Sequence, residues 1–202
     1  IDPDLPFMGY STRRSGSNVI VVAGRALESG PAEGLLIHEM GHLYRIQANH
    51  PTHNSKLLDS VGLHLIHEYR LTKDYQIRVI QQAVNHIQDL YADDIAFRVF
   101  RKSDVFRLDQ AADFFSDWIQ DTPVRSKGDK ARWLNLGTLL NNCFALSNMI
   151  RHNVVDKGDR AEKAVEKFLA QTDIRMRKEF AYFRNFMTFS KENITENEFK
   201  ID

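Results

Sequence analysis

The sequence has one cysteine, Cys143, in 202 residues. A single thiol excludes a disulfide framework, and it excludes a metal site built mainly from thiolates. There is no excess of either charge: 27 basic and 27 acidic residues cancel. A nucleic-acid partner is therefore not expected, since a binding stripe would tilt that balance. Long apolar runs are also missing. The longest, from Val19 to Ala23, is far short of the ~18 residues of a membrane span. The opening residues, Ile1 to Pro6, carry no basic region followed by an apolar stretch, so no signal peptide is expected there and the expected compartment is the cytoplasm.

What is present is an ordinary globular balance, 43% hydrophobic and 27% charged. This length suits one domain, or one domain with a helical extension. Residues 1–17 hold Pro, Gly, Ser and Arg and read as an irregular arm. Residues 18–23, Asn18, Val19, Ile20, Val21, Val22 and Ala23, are β-branched and read as a strand. Residues 24–31 read as a turn. Residues 32–45 read as a helix whose apolar positions are Leu35, Leu36, Ile37, Met40 and Leu43. His50, Pro51 and His53 fall in a segment that Pro51 marks as a surface turn.

From Ser55 onward the pattern is almost wholly helical. Candidate helices cover residues 56–70, 73–102, 104–120, 129–152 and 159–190, with Ser103 or Asp104 as an N-cap. The stretch from Thr122-Pro123 to Lys127-Gly128 is a candidate boundary. The expected division is an arm (1–17), a core (18–122) and a helical part (123–202). The expected class is α+β, mostly α, with a small N-terminal β element.

The informative residues are His38-Glu39-Met40-Gly41-His42. On a helix, positions four apart share a face. Both imidazoles can then reach one zinc ion, and Glu39 lies beside its open position. There it can take a proton from water acidified by the metal and pass it to a leaving amine. Gly41 stands where a neighbouring element could approach closely.

A catalytic zinc usually has three protein ligands. The positions that would extend the motif to a third histidine hold Arg45 and Ala48. His50 and His53 are nearby alternatives. The acidic pair Asp89 and Asp93 lies on one face of the long helix, among Ile87, Leu90, Tyr91, Ile95, Ala96 and Phe97. Carboxylates embedded there need a partner. One can bind the metal, and the other can accept the free ring N–H of a ligating histidine. His86 is a candidate metal ligand or hydrogen-bond donor to a transition state, and Tyr91 and Tyr44 are alternative donors. His64 and His67 read as a helix-surface or core-edge pair.

HEMGH followed by DLYAD resembles the gluzincin metallopeptidases, closest to the HtpX and CAAX-prenyl-protease type, in which HExxH is followed by ExxAD. The resemblance covers roughly residues 18–100. It implies a zincin-like core with one Zn2+ per chain, held by His38, His42 and the position occupied by Asp89. It implies a general base at Glu39 and a supporting carboxylate at Asp93. It also implies a peptide or protein substrate bound along the strand at residues 18–23 by β-augmentation. Aspartate replaces glutamate at the third position and is one methylene shorter, so its helix must sit closer to the metal or hold it more loosely. The membrane helices of the HtpX type are absent.

Three functions compete: a zinc peptidase, a catalytically inactive or regulatory zincin-like domain, and a helical interaction protein without metal. The arm, with Asp2 and Asp4, is a further candidate for occupying the cleft. Substrate specificity and oligomeric state are not readable.

Overall fold

Ser15 and Gly16 both take positive φ, 47° and 82°, which is the pair of left-handed residues that a tight hairpin turn requires. They join β1 (Gly9–Arg14) to β2 (Ser17–Val22) in an antiparallel pair, with Gly9 opposite Val22 and Arg14 opposite Ser17. The ladder continues through a hydrogen bond from Ala23 N–H to the Met8 carbonyl, 2.9 Å. The segment expected to be irregular is therefore strand over residues 9–14. The overlooked signal is the Ser-Gly dipeptide, a turn marker between two extended runs.

The computed structural model describes residues 8–28, 32–103 and 105–201. Asp2, Asp4 and Asp104 lie outside them. The fold is α+β and mostly α. After the hairpin come α1 (Gly24–Glu28) and α2 (Ala32–Gln47), then a 3-10 turn (Pro51–His53). Helices α3 (Ser55–Glu68), α4 (Asp74–Phe100), α5 (Leu108–Trp118), α6 (Asp129–Arg151), α7 (Arg160–Ala170), α8 (Ile174–Phe189) and α9 (Glu196–Ile201) follow. No helix among the described residues is long and apolar enough to cross a membrane.

Three expectations are corrected. Part of the expected turn at 24–31 is the short helix α1, with Ala26 in the core. The helix expected from residue 104 begins at Leu108. The single helix expected over 159–190 is two, because the Asp173 side chain accepts a hydrogen bond from Met176 N–H, 2.8 Å, and caps a new start. That is an ordinary aspartate N-cap.

The chain groups into two compact units that do not follow its order. The first takes residues up to Asn54, Gln88–Leu108, and the segment from Glu192; the second takes Ser55–Ile87 and Asp109–Lys191. The stretch at 122–128 lies inside the second.

In the second unit α6 packs along α8. Leu139, Cys143, Phe144, Phe168 and Phe180 are buried there, each large side chain contributing about 1.5–3 kcal/mol. Cys143 is a free thiol. The C-terminal aromatics divide: Phe168 and Phe180 are core, whereas Tyr182 and Phe189 are exposed. His64 and His67 are exposed on α3.

In the first unit the hairpin lies against α2, where Val22, Ala23 and Ala26 bury with Ile20 and Leu35. Helix α2 turns only some of its apolar residues inward: Leu43 is buried and Leu35 packs against the hairpin. Leu36 and Met40 are exposed, and the buried face holds Gly34, Glu39, Gly41, Leu43 and Arg45. A helix that buries carboxylate and guanidinium while exposing methionine breaks the usual pattern, as functional sites do. Gly41 is the contact point with α4: a Cβ there would lie 2.5 Å from the Ala92 carbonyl oxygen. Gly41→Ala must therefore push the two helices apart. The expected loss is about 1–3 kcal/mol, typical of overpacking, read from urea denaturation. An unchanged midpoint would mean that the helices are not held at this separation.

Candidate metal centre

Helix α2 presents His38 and His42 one turn apart, and α4 presents Asp89 opposite them. His42 Nε2 lies 3.1 Å from His38 Nε2 and 3.3 Å from Asp89 Oδ1, and His38 Nε2 is 3.7 Å from the same oxygen. Behind His38, Nδ1 is 2.7 Å from Asp93 Oδ1. A carboxylate there can only accept, so Nδ1 carries the hydrogen. In the neutral ring, Nε2 then has its lone pair aimed at His42 and Asp89.

Nitrogen and oxygen lone pairs converging on one point repel unless a shared proton or a metal cation sits between them. Zinc bonds of roughly 2.0–2.1 Å place tetrahedral ligand atoms about 3.3 Å apart. The three observed separations straddle that value, so the residues fit the ion. The side chains of His38, His42 and Asp89 are 24%, 14% and 26% exposed, which leaves the centre open to a further ligand.

The electrostatics agree with a cation site. Burial alone would lower the pKa of His38. The Asp93 carboxylate, through its charge and the hydrogen bond it accepts, outweighs burial together with the charges of Asp89 and Glu39, and raises His38 to about 9. The metal-free cluster thus holds a proton where a metal ion would compete for the same lone pair.

Behind His42 the loop after α2 folds inward. His42 Nδ1 is 2.8 Å from His53 Nε2, and His53 Nδ1 is 2.8 Å from Thr52 Oγ1. Thr52 Oγ1 is 2.9 Å from His50 Nδ1, and His50 Nε2 is 3.1 Å from the Glu192 carbonyl oxygen. His50 and Thr52 are buried, at 7% and 0% exposure, so the expectation of a surface turn is wrong. Pro51 starts the 3-10 turn and does not expel the loop. Burial, then the neighbouring His42, His50 and Arg45, hold His53 down at about 3. His50 is lowered by burial first and Arg45 second.

Arg45 is 3% exposed and anchors this end of the site. Its Nε donates to the Tyr91 carbonyl at 2.9 Å, and its terminal nitrogen reaches Glu192 at 3.1 Å and Asp94 at 3.8 Å. Arg98 reaches the same Glu192 carboxylate at 2.6 Å.

Over residues 6–201 the chain matches the model of a family of unknown function, DUF5781. The chain belongs to this family. No curated protein and no solved structure matches it.

In this DUF5781 chain the residues singled out from sequence are distributed as follows. His38, His42 and Asp89 form the cluster, and Asp93 stands behind His38. Glu39 is 4% exposed, and its Oε1 lies beside Gly9 of β1, where an added Cβ would be 3.3 Å away. Tyr91 is buried, its ring packed against His50 and beneath the Arg45 guanidinium. His86 is part of the second unit, stacked on Phe144 with Gln82 against its Nε2. Tyr44 is 55% exposed. Residues 18–22 are strand as expected, but one edge is taken by β1. Thr52, Arg45, Asp94 and Glu192 were not anticipated. Only the spacing of His50 and His53 hinted at the loop's part.

The two histidine shifts give opposite pH windows for the metal-free protein. His38 has a raised folded pKa, so its contribution is complete below pH 6.5 and is lost as pH rises through about 9. His53 has a depressed one, so its contribution is present above pH 6.5 and is lost as pH falls toward about 3. Asp93→Asn should flatten the alkaline limb of stability, measured by urea unfolding with chelator present, and spare the acid limb. Equal alkaline slopes in both proteins would show that Asp93 does not hold His38 charged.

Proposed function

We propose that this DUF5781 chain is a zinc-dependent peptidase, holding one Zn2+ on His38, His42 and Asp89 and using Glu39 as general base. The observation that carries the reading is the convergence of His38 Nε2, His42 Nε2 and Asp89 Oδ1 at 3.1, 3.3 and 3.7 Å. Its support in sequence is the HExxH…DxxAD pattern, which resembles that of gluzincins.

His38, His42 and Asp89 would hold the zinc, which when bound would supply Lewis acidity toward water and the scissile carbonyl. Glu39 accepts the water proton and later delivers it to the departing amine, a contribution of about 10²–10⁴-fold. Asp93 keeps His38 turned with Nε2 forward. The β1–β2 hairpin beside Glu39 offers strand edges to an extended peptide or protein substrate, and the proposed setting is the cytoplasm.

A second reading is a zincin-like domain that holds zinc without turnover, and one observation favours it. Glu39 is only 4% exposed, whereas a general base must meet water.

The test is zinc content and peptide hydrolysis on the full chain. One zinc per chain is expected, lost in His38→Ala and weakened in Asp89→Ala. Hydrolysis should fall about 10²–10⁴-fold in Glu39→Gln while zinc is retained. Stoichiometric zinc with no hydrolysis by the wild type would select the second reading. No zinc in the wild type, even when supplied, would sink both.

A further inference from the structure

The loop histidines do not join the cluster, yet they form a continuous hydrogen-bonded path to one of its members. The direction of that path is fixed at its far end. The Glu192 carbonyl oxygen can only accept, so His50 must donate from Nε2, 3.1 Å away. In a neutral ring Nδ1 is then an acceptor. It takes the single hydroxyl hydrogen of Thr52 at 2.9 Å. Thr52 Oγ1, its hydrogen spent, accepts from His53 Nδ1 at 2.8 Å. His53 Nε2 therefore has a lone pair, and it accepts from His42 Nδ1 at 2.8 Å. Each link leaves its neighbour one choice, and every hydrogen points toward Glu192. The last consequence falls on His42: its hydrogen lies on Nδ1, and its Nε2 lone pair faces His38 and Asp89.

We propose that His53, Thr52 and His50 are positioning residues that hold His42 as its Nδ1–H tautomer and so set how tightly the site grips zinc. This rests on the zinc reading above. The two metal-facing histidines are then oriented by different devices, His38 by the Asp93 carboxylate and His42 by a neutral relay ending on the backbone. The relay adds no charge to the centre. Its end is fixed because Arg45 and Arg98 hold the Glu192 side chain at 3.1 and 2.6 Å.

Two measurements on the full chain test this. The first is the nitrogen-15 spectrum of the His42 ring in metal-free protein near pH 8. The wild type should show hydrogen on Nδ1. Thr52→Val, which keeps the shape and removes the hydroxyl, should show a tautomer mixture. The second is zinc affinity by competition with a chromophoric chelator. His53→Ala and Thr52→Val should bind zinc about 10–100-fold more weakly. His53→Gln, which offers one acceptor and one donor at similar reach, and Thr52→Ser should both recover most of that loss. Recovery by the conservative pair separates positioning from simple damage to the loop. Hydrogen on Nε2 of His42 in the wild type would overturn the relay, and so would undiminished zinc affinity in both disruptive variants. A wild type that takes no zinc but loses its Nδ1–H tautomer in Thr52→Val would remove the metal reading and leave the relay standing.

Discussion

The approach of α4 to α2 at Gly41 is the constraint on which the rest of the first unit depends. A Cβ at that position would lie 2.5 Å from the Ala92 carbonyl oxygen, so only glycine permits the separation. Ala92 lies between Asp89 and Asp93 on the same helix. Close approach therefore brings both carboxylates down onto the histidines at once. For the proposed zinc site, it also answers the difficulty of a third position one methylene shorter than glutamate. Where the side chain is short, the backbone supplies the reach. The arrangement buries Leu90, Tyr91, Asp93 and Asp94 together, and buried carboxylates are tolerated only with partners. His38 and Arg45 are those partners on α2.

The inward face of α2 thus carries charged groups beside Leu43. Its glutamate, glycine and arginine are buried while Leu36, Met40 and Tyr44 face outward. Leu43 and Leu35 give this helix an apolar contribution, and its hydrogen bonds supply the rest. Removing one polar member leaves its partner unpaired in dry surroundings, which costs more than the bond itself contributes. Fold and site therefore share the same interactions, and substitutions for one disturb the other.

Much of this architecture was legible beforehand. Helical periodicity located α2, α3, α4 and α6 to within a few residues, and the β-branched run marked β2. Residue spacing brought His38, His42, Asp89 and Asp93 together as candidates, because i,i+4 positions on two helices define two faces. What failed was information carried by single residues with conformational roles. Ser15-Gly16 made a strand of the supposed arm, and Asp173 divided a helix in two. The outward turn of Met40 was hidden because periodicity reports which residues share a face and not which face is buried. Thr52, Arg45 and Glu192 were out of reach for another reason: their roles depend on contacts over 46 to 147 positions in the chain or on the inward fold of one loop, and no local pattern encodes these.

The Glu192 carbonyl and the His50 ring that donates to it are 142 positions apart. During synthesis the HExxH helix and its α4 counterpart are both complete while residue 192 is still unmade. A nascent chain can therefore bring His38, His42 and Asp89 together before the tautomer of His42 is settled. Contacts of such long sequence separation form late because the loop entropy they must overcome is large. The path from His42 to the backbone is complete only after the segment at Glu192 has docked, so the tautomer of His42 would distinguish a chain that contains this segment from one interrupted before it.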